Sequence, residues 1–241
     1  MQLSFLIFAS IVVNVIGVEF PAYIKRCAIN DPNISQCIED HGNLAIPQVV
    51  KGIESLGIPV LSPFRVSELQ LYAKNFRLLL TNVIFDNFKD ARLHNVKFDL
   101  QHNSSTFDLR TKFLNFTSQY SIEDGQVLTQ NISGKGKFHM SLTDNVLKFN
   151  LSLSQYVKDG KTHLDISHVD CKLISERALY DFENIRRSSA KPGDDINLFI
   201  QQNWASIMEK TTPGVEQFLL KYYLLVIKTM IRNFPINEMF L

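Results

Sequence analysis

The chain has 241 residues, of which 45% are hydrophobic and 20% are charged, and its formal net charge at pH 7 is +1. This length and composition allow a large hydrophobic core. The near-neutral charge and the lack of a strong basic cluster argue against a nucleic-acid partner.

The first 17 residues carry no charged side chain and are mostly apolar. A short apolar run that ends in small residues is typical of a secretory signal peptide, and we place cleavage after Gly17. The run is too short for a membrane span and Asn14 interrupts it, so we predict no stable membrane anchor. Residues 18–241 are therefore predicted to form a single secreted, extracellular domain.

Five Asn-x-Ser/Thr sequons agree with the secretory route and are candidates for N-glycosylation. One such triplet can occur by chance, but five in a chain of this length favour the secretory route. The asparagines are Asn33, Asn103, Asn115, Asn131 and Asn150.

Two of the three cysteines lie close together near the start of the mature chain. Cys27 and Cys37 flank the turn-forming pair Asp31-Pro32, and in an oxidising compartment we expect them to form a disulfide. Cys171 is then either a buried free thiol in a strand or one half of an intermolecular disulfide.

The segment from residue 34 to residue 53 has apolar residues at helical spacing. Gly42 and Pro47 make the pattern imperfect, so a short or broken helix is predicted. An extended connection follows, because Gly57-Ile58-Pro59 and Ser62-Pro63 place residues before proline.

From about Val66 to Phe182 the apolar period changes to two residues, which is typical of half-buried antiparallel strands. Asp124-Gly125 and Asp159-Gly160 are predicted to be hairpin turns, and Gly134-Lys135-Gly136 is predicted to be a further turn. The apolar phase switches at Ser167-His168, which predicts a β-bulge that bends the sheet.

Residues 194–232 form the longest segment with helical periodicity, with Asp194 or Asp195 as the N-cap and a kink or restart at Thr212-Pro213. A continuous helix of this length would span about 58 Å, more than the diameter of about 45 Å expected of a compact globule. Either the helix breaks at Pro213, or a sheet curls along it in an elongated molecule. We predict an α+β fold, a long curved antiparallel sheet wrapped around a long C-terminal helix.

The sequence lacks the usual catalytic patterns, including HExxH, a Gly-x-Ser-x-Gly elbow and a phosphate-binding glycine loop. His163 and His168 lie near Asp165 and Asp170, but odd spacing in a strand places the two histidines on opposite faces unless the bulge intervenes. We therefore predict that the protein is not an enzyme and has neither a metal site nor a cofactor.

One sheet around one amphipathic helix leaves an elongated apolar interior, which is either filled by side chains or occupied by a long apolar molecule. The candidate lining residues lie on the inward faces of the strands and of the helix. They are Phe138, Met140, Phe149, Trp204, Ile207, Met208, Phe218 and Tyr222.

Several short motifs occur in a fairly specific order over nearly the whole mature chain. They are the Cys27…Asp31-Pro32…Cys37 segment, the run from Gly57 to Phe64, Phe182-Glu183-Asn184, Asn197-Leu198-Phe199 with Asn203-Trp204, and Phe234-Pro235. With these motifs the chain resembles the insect juvenile hormone-binding protein and takeout family. The resemblance implies a tubular lipid-binding, TULIP-like super-roll and a secreted, monomeric carrier of juvenile hormone, a terpenoid or a fatty-acid-like molecule. For some relatives it implies roles in feeding, circadian or sleep behaviour.

Two departures place the chain nearer the takeout branch of that family. The second disulfide of the hormone carriers cannot form within a chain whose remaining cysteine is Cys171, and Ser62-Pro63-Phe64 replaces the family's Asp-Pro-Leu. The alternative function is a secreted signalling protein with a filled interior. It would bind an extracellular protein partner through its surface, for example through Leu224, Ile227 and Ile231.

Overall fold

The computed structural model describes residues 19–73, 76–187 and 195–241. The predicted signal peptide and Asp194, one of the two predicted N-caps, lie outside these residues. The domain boundary at residue 18 therefore stays a prediction.

The N-terminal part contains helix α1, Ile34–Val49, followed by a short 3₁₀ helix at Glu54–Leu56. The predicted helical segment is confirmed, but the predicted short or broken helix is wrong, because α1 continues through Gly42 and Pro47. The structure contains the Cys27–Cys37 disulfide. Close packing fixes the helix on the sheet, because a Cβ added to Gly42 would lie only 2.5 Å from the side chain of Leu93.

The described strands form one eight-stranded antiparallel sheet in the order β1-β2-β4-β5-β6, in which β3 pairs with β4, and β7 and β8 pair with β5. Strands β2 and β3 pair with opposite ends of β4, and β6 and β7 pair with opposite ends of β5. Two long strands therefore link two half-sheets. The strands are β1 Phe64–Ala73, β2 Phe76–Asp86, β3 Arg92–Asp99, β4 Ser104–Val127, β5 Gln130–Lys158, β6 Lys161–Ile174, β7 Arg177–Phe182 and β8 Arg186–Arg187.

The inward-facing side chains change phase in the middle of the two long strands. In β5, Leu142 and Leu147 are both buried although they are an odd number of residues apart. Asp144 between them has a φ of 47°, and the amide of Asn145 donates to the backbone oxygens of Leu142 and Thr111. Because of the phase change, apolar side chains in both halves of each long strand face the interior of the curled sheet.

The helical C-terminal part consists of α2 Ile196–Gln202, α3 Trp204–Asn233 and α4 Ile236–Met239. Asp195 is the N-cap, because its carboxylate accepts a hydrogen bond from Leu198 N at 3.1 Å. The predicted restart at Pro213 is wrong: α3 continues through that residue and the interruption lies at Asn203. Pro213 is exposed, so water can bind the carbonyl oxygen that it leaves without a donor.

One of the two predicted Asp-Gly turns is confirmed. Asp159 and Gly160 have φ values of 51° and 74° and join β5 to β6, as a type I′ hairpin requires. The other prediction is wrong, because Asp124-Gly125 lies within β4 beside a register shift between Ile122 and Gly125. The chain turns instead at Leu128-Thr129, between the ends of β4 and β5.

The predicted turn at Gly134-Lys135-Gly136 is also wrong, since these residues lie in β5 and pair with β4. Glycine is needed there because another segment passes very close. A Cβ on Gly134 would lie 2.6 Å from Tyr120 Oη, and one on Gly136 would lie 2.5 Å from Glu183 O. The space lets Tyr120 Oη donate a 2.7 Å hydrogen bond to Glu183 O.

The predicted bulge is confirmed at Ser167, because Ser152 pairs with His168 and Leu153 pairs with Ile166. Extended at about 3.3 Å per residue, the 29 residues of β5 would measure about 95 Å, whereas the 30 residues of α3 span about 45 Å. The strand has to curve around the shorter helix, and the predicted fold class is confirmed. Within the described residues, no helix is both long and apolar enough to cross a membrane.

Candidate ligand-binding cavities

The interior contains a cavity of about 440 Å³, which we call the larger chamber. It lies between α1, β3, the first half of β4, the second half of β5, β6 and the second half of α3. Its volume falls within the range of about 300–1,000 Å³ that is common for small-molecule sites.

The walls of the larger chamber are almost entirely aliphatic and aromatic. Helix α1 contributes Ala45, Ile46 and Val50, and the sheet contributes residues such as Phe107 and Leu151. The lining residues that carry a polar or titratable group are Lys25, His41, Ser105, Tyr222 and Tyr223. Such a lining favours an apolar molecule with few polar groups.

One end of the larger chamber meets a surface groove, because Phe20, Ile24 and Lys25 line both. The N-terminal segment and the C-terminal tail are joined there by a backbone hydrogen bond of 2.9 Å from Leu241 N to Cys27 O. We call this end the mouth, since it is the end of the chamber that lies next to the surface groove.

The donor atoms of Cys27, Cys37 and His41 lie within 4.8 Å of one another beside the mouth. Both sulfurs belong to the disulfide, so they are not the thiolates that bind zinc. His41 Nδ1 lies 3.5 Å from each sulfur, and its ring packs the disulfide against the chamber.

A second cavity of about 80 Å³, the smaller chamber, lies in the other half of the molecule between β1, β2, the second half of β4, the first half of β5, β7, α2 and the first half of α3. Its walls are also mainly apolar, and the lining residues that carry a polar or titratable group are Gln126, Tyr180, Lys210 and Thr211. Of the described residues, Phe218 alone lines both chambers.

The structure places the predicted lining residues at several sites. Phe138, Met140 and Ile207 line the smaller chamber, Tyr222 lines the larger one, and Phe218 lies between the two. The other three pack in the core without lining either described chamber; they are Phe149, Trp204 and Met208.

Sequence reasoning did not assign the α1 side of the larger chamber to the site. The helical spacing of Ile38, Ile46, Val49 and Val50 was the available signal, and all four line the chamber. Leu44 is 61% exposed although it follows the same apolar pattern. The pattern identified a buried face but could not show that the face borders a cavity.

Tyr223 and Cys171 form a desolvated pair beside the larger chamber. The hydroxyl of Tyr223 is buried and makes no hydrogen bond to another described residue, and burial raises its pKa. Burial also raises the pKa of the Cys171 thiol to about 12, and the charge of Glu216 adds to the effect. Cys171 forms no disulfide within the described residues and is half-buried in β6, and the choice between its two predicted fates stays a prediction.

The five sequon asparagines are all exposed. The side chain of Asn115 accepts a 2.9 Å hydrogen bond from Ser141 Oγ on the outer face of the sheet. Glycans on these asparagines would extend into solvent without displacing the core.

An antiparallel sheet rolled around a long helix, with apolar chambers inside, defines a tubular fold with an apolar interior. The profile described as Haemolymph juvenile hormone binding protein (JHBP) matches residues 4–241. The chain therefore belongs to the juvenile hormone-binding protein and takeout family.

A solved structure has the same fold. The crystal structure of Takeout 1 from Epiphyas postvittana matches with a TM-score of 0.80 and 20% sequence identity, over 90% of this chain and 99% of that chain. A crystal structure of lipopolysaccharide binding protein matches with a TM-score of 0.40 and 10% identity, over 80% of this chain and 38% of that chain. A comparison with curated proteins finds no match.

Proposed function

We propose that this protein is a secreted carrier that holds a small hydrophobic molecule, such as juvenile hormone, a terpenoid or a fatty-acid-like chain, in the larger chamber. The observation that carries the proposal is an apolar cavity of about 440 Å³ with a mouth at the surface. Family membership supports the same ligand class. The disulfide and the five exposed sequons support passage through the secretory pathway.

The driving force would be removal of the ligand from water. A farnesyl-sized chain gains about 0.8 kcal/mol per buried CH₂, or about 12 kcal/mol in total. Association and ordering cost at least about 4 kcal/mol. The remainder corresponds to micromolar or tighter binding, which suits a carrier and requires no catalytic group.

The alternative, a partner-binding protein with a filled interior, has less support. The interior contains the larger chamber, and Ile227 and Ile231 line that chamber instead of forming a surface patch. Leu224 packs against the core. Monomeric state, behavioural role and the lack of enzymatic activity stay predictions from the sequence.

The test is to secrete the protein from insect cells, record its native mass, and identify what an organic solvent extracts. Ala45→Phe fills the larger chamber from α1, because Ala45 is buried and lines it. Leu44→Phe is the matched control, since the neighbouring residue is exposed.

We expect one apolar molecule per protein in the wild type and in Leu44→Phe, and at least a tenfold lower yield from Ala45→Phe. An empty wild-type protein that also fails to bind juvenile hormone, terpenoids and fatty acids would contradict the carrier function. Equal yields from all three proteins would place the ligand outside the larger chamber.

A further inference from the structure

A cluster of aromatic side chains lies between the two chambers. Phe64 and Tyr222 line the larger chamber, Phe85 and Phe116 line the smaller one, and Phe218 lines both. The cluster contains residues from β1, β2, β4 and α3, so it extends across the interior from the sheet to the helix. We call these five residues the aromatic partition.

The rings of the partition contact one another continuously. Phe218 stacks on Phe85 with ring centroids 4.8 Å apart, and Tyr222 packs edge-on against Phe64 with centroids 3.9 Å apart. Phe218 also lies 4.8 Å from Tyr222, one helical turn away. Stacked and edge-to-face contacts of this kind are favourable beyond the burial of area, so they favour the arrangement in which the rings separate the two chambers.

Phe218 is the central residue of this arrangement. Phe64, Phe85 and Phe116 are buried, whereas Phe218 and Tyr222 keep some accessible surface because they face the cavities. Removing the Phe218 ring would therefore join the chambers, while removal of an outer ring leaves Phe218 in place.

The lengths of the two chambers can be estimated from the rise of α3 per residue. The α3 residues that line the larger chamber run from Phe218 to Ile231, an axial distance of about 20 Å. Those that line both chambers together run from Ile207 to Ile231, about 36 Å. A ligand that enters at the mouth thus meets the partition after about 20 Å.

We propose that the aromatic partition, with Phe218 at its centre, sets the maximum length of the apolar chain that the protein can enclose. The proposal rests on the proposed carrier function and adds to it a class of ligand: a single-chain amphiphile whose apolar part fits the larger chamber, with any further chain left outside the mouth. Phe218 is then a specificity-determining residue.

The test measures how affinity depends on chain length. Lauric, palmitic, arachidic and lignoceric acids compete with radiolabelled palmitic acid for the delipidated protein. Each further buried CH₂ is worth about fourfold in affinity. In the wild type we expect affinity to rise from lauric to palmitic acid and then to level off, because additional carbons stay in water.

In Phe218→Ala the gain should continue, so that lignoceric acid binds at least about tenfold more tightly than palmitic acid. Trp204→Ala is the matched control, since it also truncates a large apolar residue of α3, but one that packs in the core and lines neither described chamber. It should keep the wild-type plateau. If Phe218→Ala does not fold, Phe218→Leu provides a milder opening.

A wild-type affinity that rises all the way to lignoceric acid would overturn the proposal, as would an unchanged plateau in folded Phe218 variants. These outcomes leave the carrier function intact. Failure of every fatty acid to displace the probe, together with an empty extract, would instead contradict the carrier function itself.

Discussion

At the scale of single residues, burial in the folded chain decides the chemistry of the Cys171 thiol. Cys171 alternates regularly with its neighbours in the strand pattern, and nothing in its local sequence distinguishes a reactive thiol from an inert one. Its position under α3, near Glu216 and Tyr223, raises its pKa to about 12. The raised pKa means that the thiol stays protonated through the neutral range.

We therefore expect Cys171 to react slowly with iodoacetamide at pH 8, since the thiolate is the reactive form. The native protein should be alkylated at least about 100-fold more slowly than the same protein unfolded in urea, where a cysteine has a pKa of about 8.5. A mass-spectrometric time course measures both rates. Comparable rates would show that the thiol is accessible and ionised in the folded state.

At the scale of elements, the structure depends on residues that let long strands and helices continue. Gly134 and Gly136 look like a turn but allow β5 to pass close to the segment after β7. Pro213 looks like a helix end but lies within α3. The close approach of a distant segment outweighs the turn preference of the two glycines. Exposure to solvent allows Pro213 to remain within the helix.

The phase change in β4 and β5 depends on Asn145, which is 1% exposed. Its amide group donates to Thr111 Oγ1 and to two backbone oxygens, and its carbonyl accepts a 2.6 Å hydrogen bond from Ser175 Oγ. We expect Asn145→Leu to lower the free energy of unfolding by about 2–4 kcal/mol, because it leaves several buried groups without partners.

Urea denaturation measures this loss, and Lys148→Leu is the control at an exposed position of the same strand. The control should change stability by less than about 0.5 kcal/mol. If Asn145→Leu and Lys148→Leu have the same stability, the buried hydrogen bonds contribute nothing net.

At the scale of the whole molecule, a sheet longer than its helix rolls up and leaves space inside. The larger chamber borders both the first and the last helices of the domain. Backbone hydrogen bonds from Leu241 N to Cys27 O and from Ile29 N to Leu241 O close the N-terminal segment on the C-terminal tail. A bound molecule would contact both the first and the last parts of the described residues, from Phe20 to Phe240. Binding should therefore stabilise the complete fold and not a single element.

With ligand at about 100 times its dissociation constant, linkage adds about 2.7 kcal/mol to the free energy of unfolding. For a domain of this size each kcal/mol raises Tm by about 2–4 °C, so we expect a rise of roughly 5–10 °C. Differential scanning calorimetry of delipidated and loaded protein measures it. Ala45→Phe should show little rise, and an equal rise in that variant would indicate binding outside the larger chamber.

The extent to which the site could be predicted differs between its two sides. The helical period identified Ile207, Phe218 and Tyr222, because a 3.6-residue repeat determines which face of α3 is inward. The α1 residues and the division into two chambers could not be found in this way. They depend on how distant surfaces approach, and an apolar side chain in a filled core has the same local pattern as one beside a cavity.

The sequence by itself determined the period of each segment, the pairing of two cysteines near the N-terminus, the bulge at Ser167-His168 and the sheet-around-helix class. These features follow from local spacing and short-range geometry. Only the tertiary structure decided that α3 continues through Pro213, that two glycines lie inside a strand, and that Phe218 separates two chambers. Those outcomes depend on which segments meet in space, and packing between distant elements can outweigh a local preference of about 1–3 kcal/mol.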